Sequence, residues 1–216
     1  LSAAIEHARL SRQPEHPFAS YLNGPGTRLR IAYSAKPLMD APVDSEIAAA
    51  VALTAKTLSD LGHEVEEAAP PIDLVAIDRA CVHVWYFQFD EWLDELGAEM
   101  GRKVGPDTVE RASLAFYHFA RKQTPAQFFA ALVDFNRFRR EIGRFFQRYD
   151  IWLSPTTAQV AQPNGVYGMN IDVPPEEFLV HEQKPCQFMI PYNVTGQPAV
   201  SLPVAMHSSG LPIGVQ

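Results

Sequence analysis

Residues 192–205 read YNVTGQPAVSLPVA, and residues 210–216 read GLPIGVQ. Their reading decides how the rest of the chain is organised, because an apolar segment with so many special residues is a shaped surface. Asn193 carries both an amide donor and a carbonyl acceptor, so one side chain can pin a loop beside a sheet. Gly196 permits a backbone conformation or a close approach denied to other residues. Pro198 sets the entry into the next strand, where its missing N–H does least harm. PAVSLPVA (198–205) and PIGVQ (212–216) then read as an antiparallel hairpin joined by a Ser208-Ser209-Gly210 turn. These residues are expected to build a cleft wall, with Gln216 falling in mid-strand.

Upstream, RLRIAYS (28–34) alternates Leu29, Ile31 and Tyr33 against Arg28, Arg30 and Ala32, a strand pattern. Asp44 is a good N-cap for a helix through Leu61, with Ile47, Val51, Thr54, Ala55 and Leu58 along one side and Gly62 closing it. HEVEEA (63–68) is a second short strand with Val65 facing inward. Strand, helix and strand at this spacing predict a βαβ-like unit with parallel pairing. Residues 72–100 hold Leu74, Ile77, Cys81, Val84, Trp85, Phe89 and Trp92 near helical spacing. A further helix opens at Thr124-Pro125-Ala126-Gln127, where a capping box coincides with Pro at the first helical position. Its apolar stripe is Phe128, Leu132, Phe135, Phe138 or Ile142, and Phe146. Arg137, Arg140, Arg144 and Arg148 lie mostly off that stripe, as on a solvated face paired with acidic neighbours. YDIWLSPT (149–156) reads as a buried strand running into a loop that extends to about residue 180. The fold class expected is α/β, a mixed β-sheet core flanked by helices.

The bulk properties set outer limits. The chain has 216 residues with 47% hydrophobic and 20% charged, ordinary for a soluble globular protein. A net charge of −7 argues against nucleic-acid binding. Cys81 and Cys186 are too few for a disulfide framework and read as thiols of a cytoplasmic protein, with a single bridge left open. No apolar run approaches the roughly 20 residues that cross a bilayer. The first residues, LSAAIEHARL, carry Glu6, His7 and Arg9 where a signal peptide needs an apolar run, and an address upstream stays open.

Several apparent sites fail on geometry. Gly24-Pro25-Gly26 precedes its strand, so it cannot be the phosphate-cradling turn of a dinucleotide fold. Cys81 and His83 diverge on a helix, and His181 with Cys186 lack two further zinc ligands. Ser34-Ala35-Lys36 has the wrong spacing for a serine–lysine pair, and Ser208-Ser209-Gly210 caps a hairpin. The residues themselves therefore supply no nucleophile, base or metal site.

The blocks LRIAYS…PVDSEIAAAVALTAKTLSDLGHEVEEAAPP, RYDIWLSPTTAQVAQP and PYNVTGQPAVSLPVA…GLPIGVQ occur in an order that closely resembles the C-terminal part of the amidase signature family of Ser-Ser-Lys amide hydrolases. The likeness spans residues 28–216 and leans toward the aliphatic amidases, the 6-aminohexanoate-cyclic-dimer hydrolases among them. Residues 1–27 match poorly and form a junction. In that family the catalytic lysine, the relaying serine and the nucleophilic serine of a Gly-Gly-Ser-Ser-Gly-Gly run all precede the region matched, and none of those motifs occurs here.

The resemblance implies a parent enzyme that hydrolyses a small amide through an acyl-serine, without cofactor or metal, and without nucleic-acid or membrane partners. No catalytic residue is assigned within the chain. The candidate substrate-binding residues are Cys81, Trp85, Ile190 and Asn193. The thiol and aromatic run at Cys81, Trp85 and Phe89 suits the acyl side of a cleft, and core packing accounts for it equally. Asn193 is read first as structural and second as a substrate contact. An apolar sheet edge is expected, covered by the N-terminal amidase half or by self-association. The alternatives are a non-catalytic binding module and an inert remnant of the fold.

Overall fold

The computed structural model describes residues 17, 19, 20, 26–171 and 174–216. The junction over residues 1–27, with Gly24 and Pro25, falls largely outside them. Strand β1 (Arg30–Tyr33) leads to helix α1 (Ser45–Asp60) and strand β2 (Glu64–Glu67). Asp44 caps α1 as expected, its Oδ1 accepting from the Glu46 N–H at 2.8 Å, and Gly62 leaves the helix at φ 94°. Both neighbours of β1 are parallel to it: Ile31 pairs with Val65 of β2 and with Ile151 of β3 (Ile151–Leu153).

This central position corrects the alternation read from the sequence. Ile31 faces Ile47, Val51 and Leu153, while Ala32 faces Phe145, Tyr149 and Trp152 and is equally buried. A strand paired on both edges and covered on both faces has no polar side, so Ala32 is a core residue.

The segment 72–100 forms two helices, α2 (Leu74–Trp85) and α3 (Phe89–Glu99), broken where Gln88 takes a left-handed φ of 60°. The break leaves Trp85 and Trp92 exposed, so the single stripe read through them ends at Val84. Helix α4 (Arg111–Ala120) follows, and the sequence signalled it with no side-chain cap. Helix α5 (Pro125–Phe145) starts at the expected capping box and buries Phe135, Phe138 and Ile142 against Leu74, Ile77 and Cys81 of α2. The loop after β3 is shorter than expected, because α6 (Pro175–Gln183) begins within it.

Residues 190–195 are helical as well, forming α7 (Ile190–Thr195). Pro191 sits in its first turn, and Gly196 ends it at φ 75° with its N–H donating to the Tyr192 carbonyl at 2.8 Å. Asn193 is therefore an exposed helical residue and does not pin a loop to the sheet. The hairpin of β4 (Leu202–Met206) and β5 (Pro212–Val215) is antiparallel as read, turning at Gly210 with φ 83°. Ser154 and Gln216 exchange backbone hydrogen bonds at 2.9 Å, which joins β5 antiparallel to the end of β3 and makes the whole arrangement mixed. Among the described residues no helix is long and apolar enough to cross a membrane.

One buried amide ties the far ends of this arrangement together. Gln187 is fully buried; its Oε1 accepts from the Leu38 and Met39 N–H groups at 2.5 and 2.9 Å. Its Nε2 donates to the carbonyls of Lys184 at 2.9 Å and Ala41 at 3.3 Å. Gln187→Leu keeps the volume and strips these partners, so it should cost about 2–4 kcal/mol in urea denaturation, given that each orphaned buried group costs about 1–3 kcal/mol. An unchanged midpoint would mean that water replaces the amide.

Candidate functional site

A cleft of about 350 Å³ opens between α2 and α6. Asp78 and Val82 of α2 and Leu179 of α6 are its buried residues, and Arg79, Glu177 and His181 stand exposed at its rim. Helical spacing explains the floor: Asp78 lies one turn after Leu74 and one turn before Val82, on the face that α2 turns to its neighbours. Val82 packs with Phe116 of α4 and with Phe178 and Leu179 of α6, which closes the end of the cleft.

Asp78 is the anomaly of this site. It is 2% exposed, and its Oδ1 has no hydrogen-bond partner among the described residues. Burial pushes its carboxyl up to about 6, with no neighbouring cation to offset the shift. Gln183 is 6% exposed, and neither its amide oxygen nor its amide nitrogen has a hydrogen-bond partner among the described residues. It lies one turn beyond Leu179 on the same face of α6. Among the described residues, four of the six buried polar atoms without a hydrogen-bond partner belong to Asp78, Glu182 and Gln183, on the two helices that form this cleft, with Glu182 Oε1 3.5 Å from His181 Nδ1. Both Asp78 and Gln183 escaped sequence reading. The signal was present for Asp78, a lone acid inside the apolar series Leu74, Ile77, Cys81, Val82.

The four residues proposed from sequence do not share one cavity. Cys81 and Ile190 meet in the core shared by α2, α5 and α7, both fully buried. Trp85 stands at the end of α2 with 39% of its surface exposed, and Asn193 is exposed on α7. Burial first, then the charge of Asp78, push the Cys81 thiol up to about 12, so it is a packed thiol and not a nucleophile. His83 turns away from Cys81 and meets the Gln123 amide oxygen at 3.2 Å.

The serines have structural partners. Ser34 is buried, its Oγ accepting from the Lys36 N–H at 3.0 Å, and the Ser201 hydroxyl meets that of Thr156 at 2.5 Å. At the hairpin turn, His207 Nδ1 accepts from the Ser209 N–H at 3.1 Å. Its Nε2 is thereby left as the donor, 3.3 Å from Glu46. Ser208 donates its hydroxyl to the same carboxylate at 2.6 Å, and this bond first of all holds the Glu46 carboxyl below its usual range. The Ser209 hydroxyl also lies 2.7 Å from His207 Nδ1, and the group as a whole latches the turn to the first turn of α1.

With the geometry in place, comparison with known proteins gives the class and then the family. The backbone superimposes on 6-aminohexanoate cyclic dimer hydrolase complexed with substrate at a TM-score of 0.84, with 26% identity over 95% of this chain and 44% of that one. A bacterial aryl acylamidase of the amidase signature family shares the fold at a TM-score of 0.73 and 21% identity, over 95% of this chain and 42% of that one. In sequence, the 6-aminohexanoate-cyclic-dimer hydrolase of Paenarthrobacter ureafaciens is 29% identical over 189 residues, 83% of this chain and 38% of the relative. The chain thus spans less than half the length of these relatives. The family model described as Amidase matches residues 2–216, and the chain belongs to that family.

Asp78 also makes a stability prediction. Its folded carboxyl, near 6 against an ordinary 3.8, holds its proton more tightly than the unfolded chain does. The stability this gives is fully present below about pH 4 and is lost as pH rises through 6. Asp78→Asn should therefore match the natural protein near pH 4 and exceed it by about 3 kcal/mol at pH 8, at 1.36 kcal/mol per unit. Equal stability of the two at pH 8, by urea denaturation, would show that the carboxylate has a partner when ionised.

Proposed function

We propose that these residues are the C-terminal, substrate-enclosing portion of an amidase that hydrolyses a C–N amide bond through an acyl-serine intermediate. The observation that carries this reading is the backbone match to a hydrolase solved with its substrate, over 95% of the chain. In this reading the Ser-Ser-Lys triad lies outside the 216 residues. A neutral lysine takes the proton of the second serine through the bridging serine, and the second serine attacks the amide carbonyl. The C–N bond breaks as the amine leaves with that proton, and water then hydrolyses the acyl-serine to release the acid. The enzyme works in the cytoplasm without metal or cofactor on a small aliphatic amide, the class suggested by the name of the 6-aminohexanoate-cyclic-dimer hydrolases.

The chain's own part is enclosure. Helices α2 and α6 wall the acyl side of the pocket, with Cys81 and Ile190 as packing behind α2 and Trp85 exposed at the last residue of α2. Asn193 is the remaining candidate contact, reached from the outer side of α7. Val200, Leu202, Val204 and Met206 leave an apolar edge exposed along β4. The amidase reading assigns that edge to the rest of the sheet or, in its absence, to a second copy.

The test compares the 216 residues with the longer gene product on a small aliphatic amide. The longer protein should turn the amide over, and mass spectrometry should trap the acyl group on a serine outside these residues. The 216 residues alone should not turn it over. Hydrolysis by them that is abolished by changing any one of Ser34, Ser201, Ser208 or Ser209 to Ala would overturn the assignment. Binding without turnover by both proteins would favour a binding module.

A further inference from the structure

We infer that the α2–α6 cleft takes a primary ammonium group carried on an apolar chain, with Asp78 as its anchor. The cleft is of small-molecule size, and its buried walls at Val82 and Leu179 match an aliphatic chain. At its floor a carboxylate with one orphaned oxygen is held away from water. A buried charge of this kind costs several kcal/mol unless it is paired, and α2 has no need of it for packing.

The cations near the cleft do not meet that need. Arg79 and Lys184 both line the cleft, yet neither bonds to the orphaned Oδ1, and burial is the sole cause that sets the Asp78 carboxyl. An ammonium brings three donors. The Asp78 carboxylate accepts one of them at its orphaned Oδ1. A ligand ending in methyl would leave that oxygen orphaned, and loss of such pairing is what makes a polar site reject an analogue.

This inference rests on the amidase reading only in naming the occupant as an amide substrate with an ammonium at its far end. The experiment titrates the full-length protein with 5-aminopentanamide and with pentanamide at pH 8, by isothermal calorimetry, alongside Asp78→Asn. The ammonium ligand should bind at least tenfold more tightly than its methyl counterpart, and Asp78→Asn should bring the two level. Since that variant is expected to gain stability, its loss of preference cannot come from misfolding, and its melting temperature checks this. Equal affinity for the two amides, undetectable binding of both, or a preference that survives in Asp78→Asn overturns the inference. Equal hydrolysis of both amides without binding preference overturns it too, while leaving the amidase reading in place. Selective binding of the ammonium with no hydrolysis supports it and counts against the amidase reading.

Discussion

The side-chain amide of Gln187 is the constraint on which the rest of the arrangement hangs. It bonds to the Leu38–Ala41 segment after β1 on one side and to the Lys184 carbonyl after α6 on the other. Backbone bonds extend the same seam: Asp44 donates to the Ala158 carbonyl at 2.9 Å, and Ala158 donates to that of Pro185 at 2.7 Å. Gln216 completes it, its side chain donating to the Phe188 carbonyl at 2.9 Å. Four stretches far apart in sequence are thus fixed together at the start of α1 and the end of α6. In a buried setting each bond is strengthened by the low dielectric, and each would be costly to leave unmade. The orientation of α6 over α2, and with it the cleft, follows from that seam.

What could be read from the chain alone divides along physical lines. Local signals read correctly: the Asp44 cap, the Thr124 capping box and the turn at Gly210 depend on neighbouring residues only. The parallel βαβ unit and the hairpin followed from strand patterns and turn chemistry. Errors arose where tertiary context governs. Ala32 looked polar-facing because alternation assumes an open face, and Phe145 and Trp152 of distant elements close it. Helix α7 was hidden because Asn193 and Gly196 read as loop residues, although Asn193 lies within the helix and Gly196 stops it. Of the cleft, Asp78 was not legible, because apolar periodicity marks the packed residues of a helix and passes over a buried acid among them.

Asp78 and Gln187 make an instructive contrast. Both are buried polar side chains on or beside the same cleft-forming elements, yet Gln187 has every bonding group used and Asp78 has one oxygen orphaned. The first is how a protein stabilises a fold with a polar residue. The second lowers stability at neutral pH and is the signature of a group held for something other than folding. On the facing helix α6, the amide of Gln183 is a second buried group without a hydrogen-bond partner among the described residues.

The register of the sheet carries a consequence for how the chain is made. Arg30 of β1 bonds to Asp150 across 120 residues, and β3 is the neighbour that buries one whole edge of β1. A ribosome adding ~5–20 residues per second needs ~6–24 s to cover that interval. Throughout it the nascent chain holds one apolar strand edge open, with Ile31 and Ala32 awaiting their cover. Arg28 precedes this strand and Arg30 opens it, and charges at the margin of an apolar strand disfavour pairing with a second nascent chain. Arg30 thus acts twice, first as a guard on the unfinished edge and later, through Asp150, as the clasp that closes it.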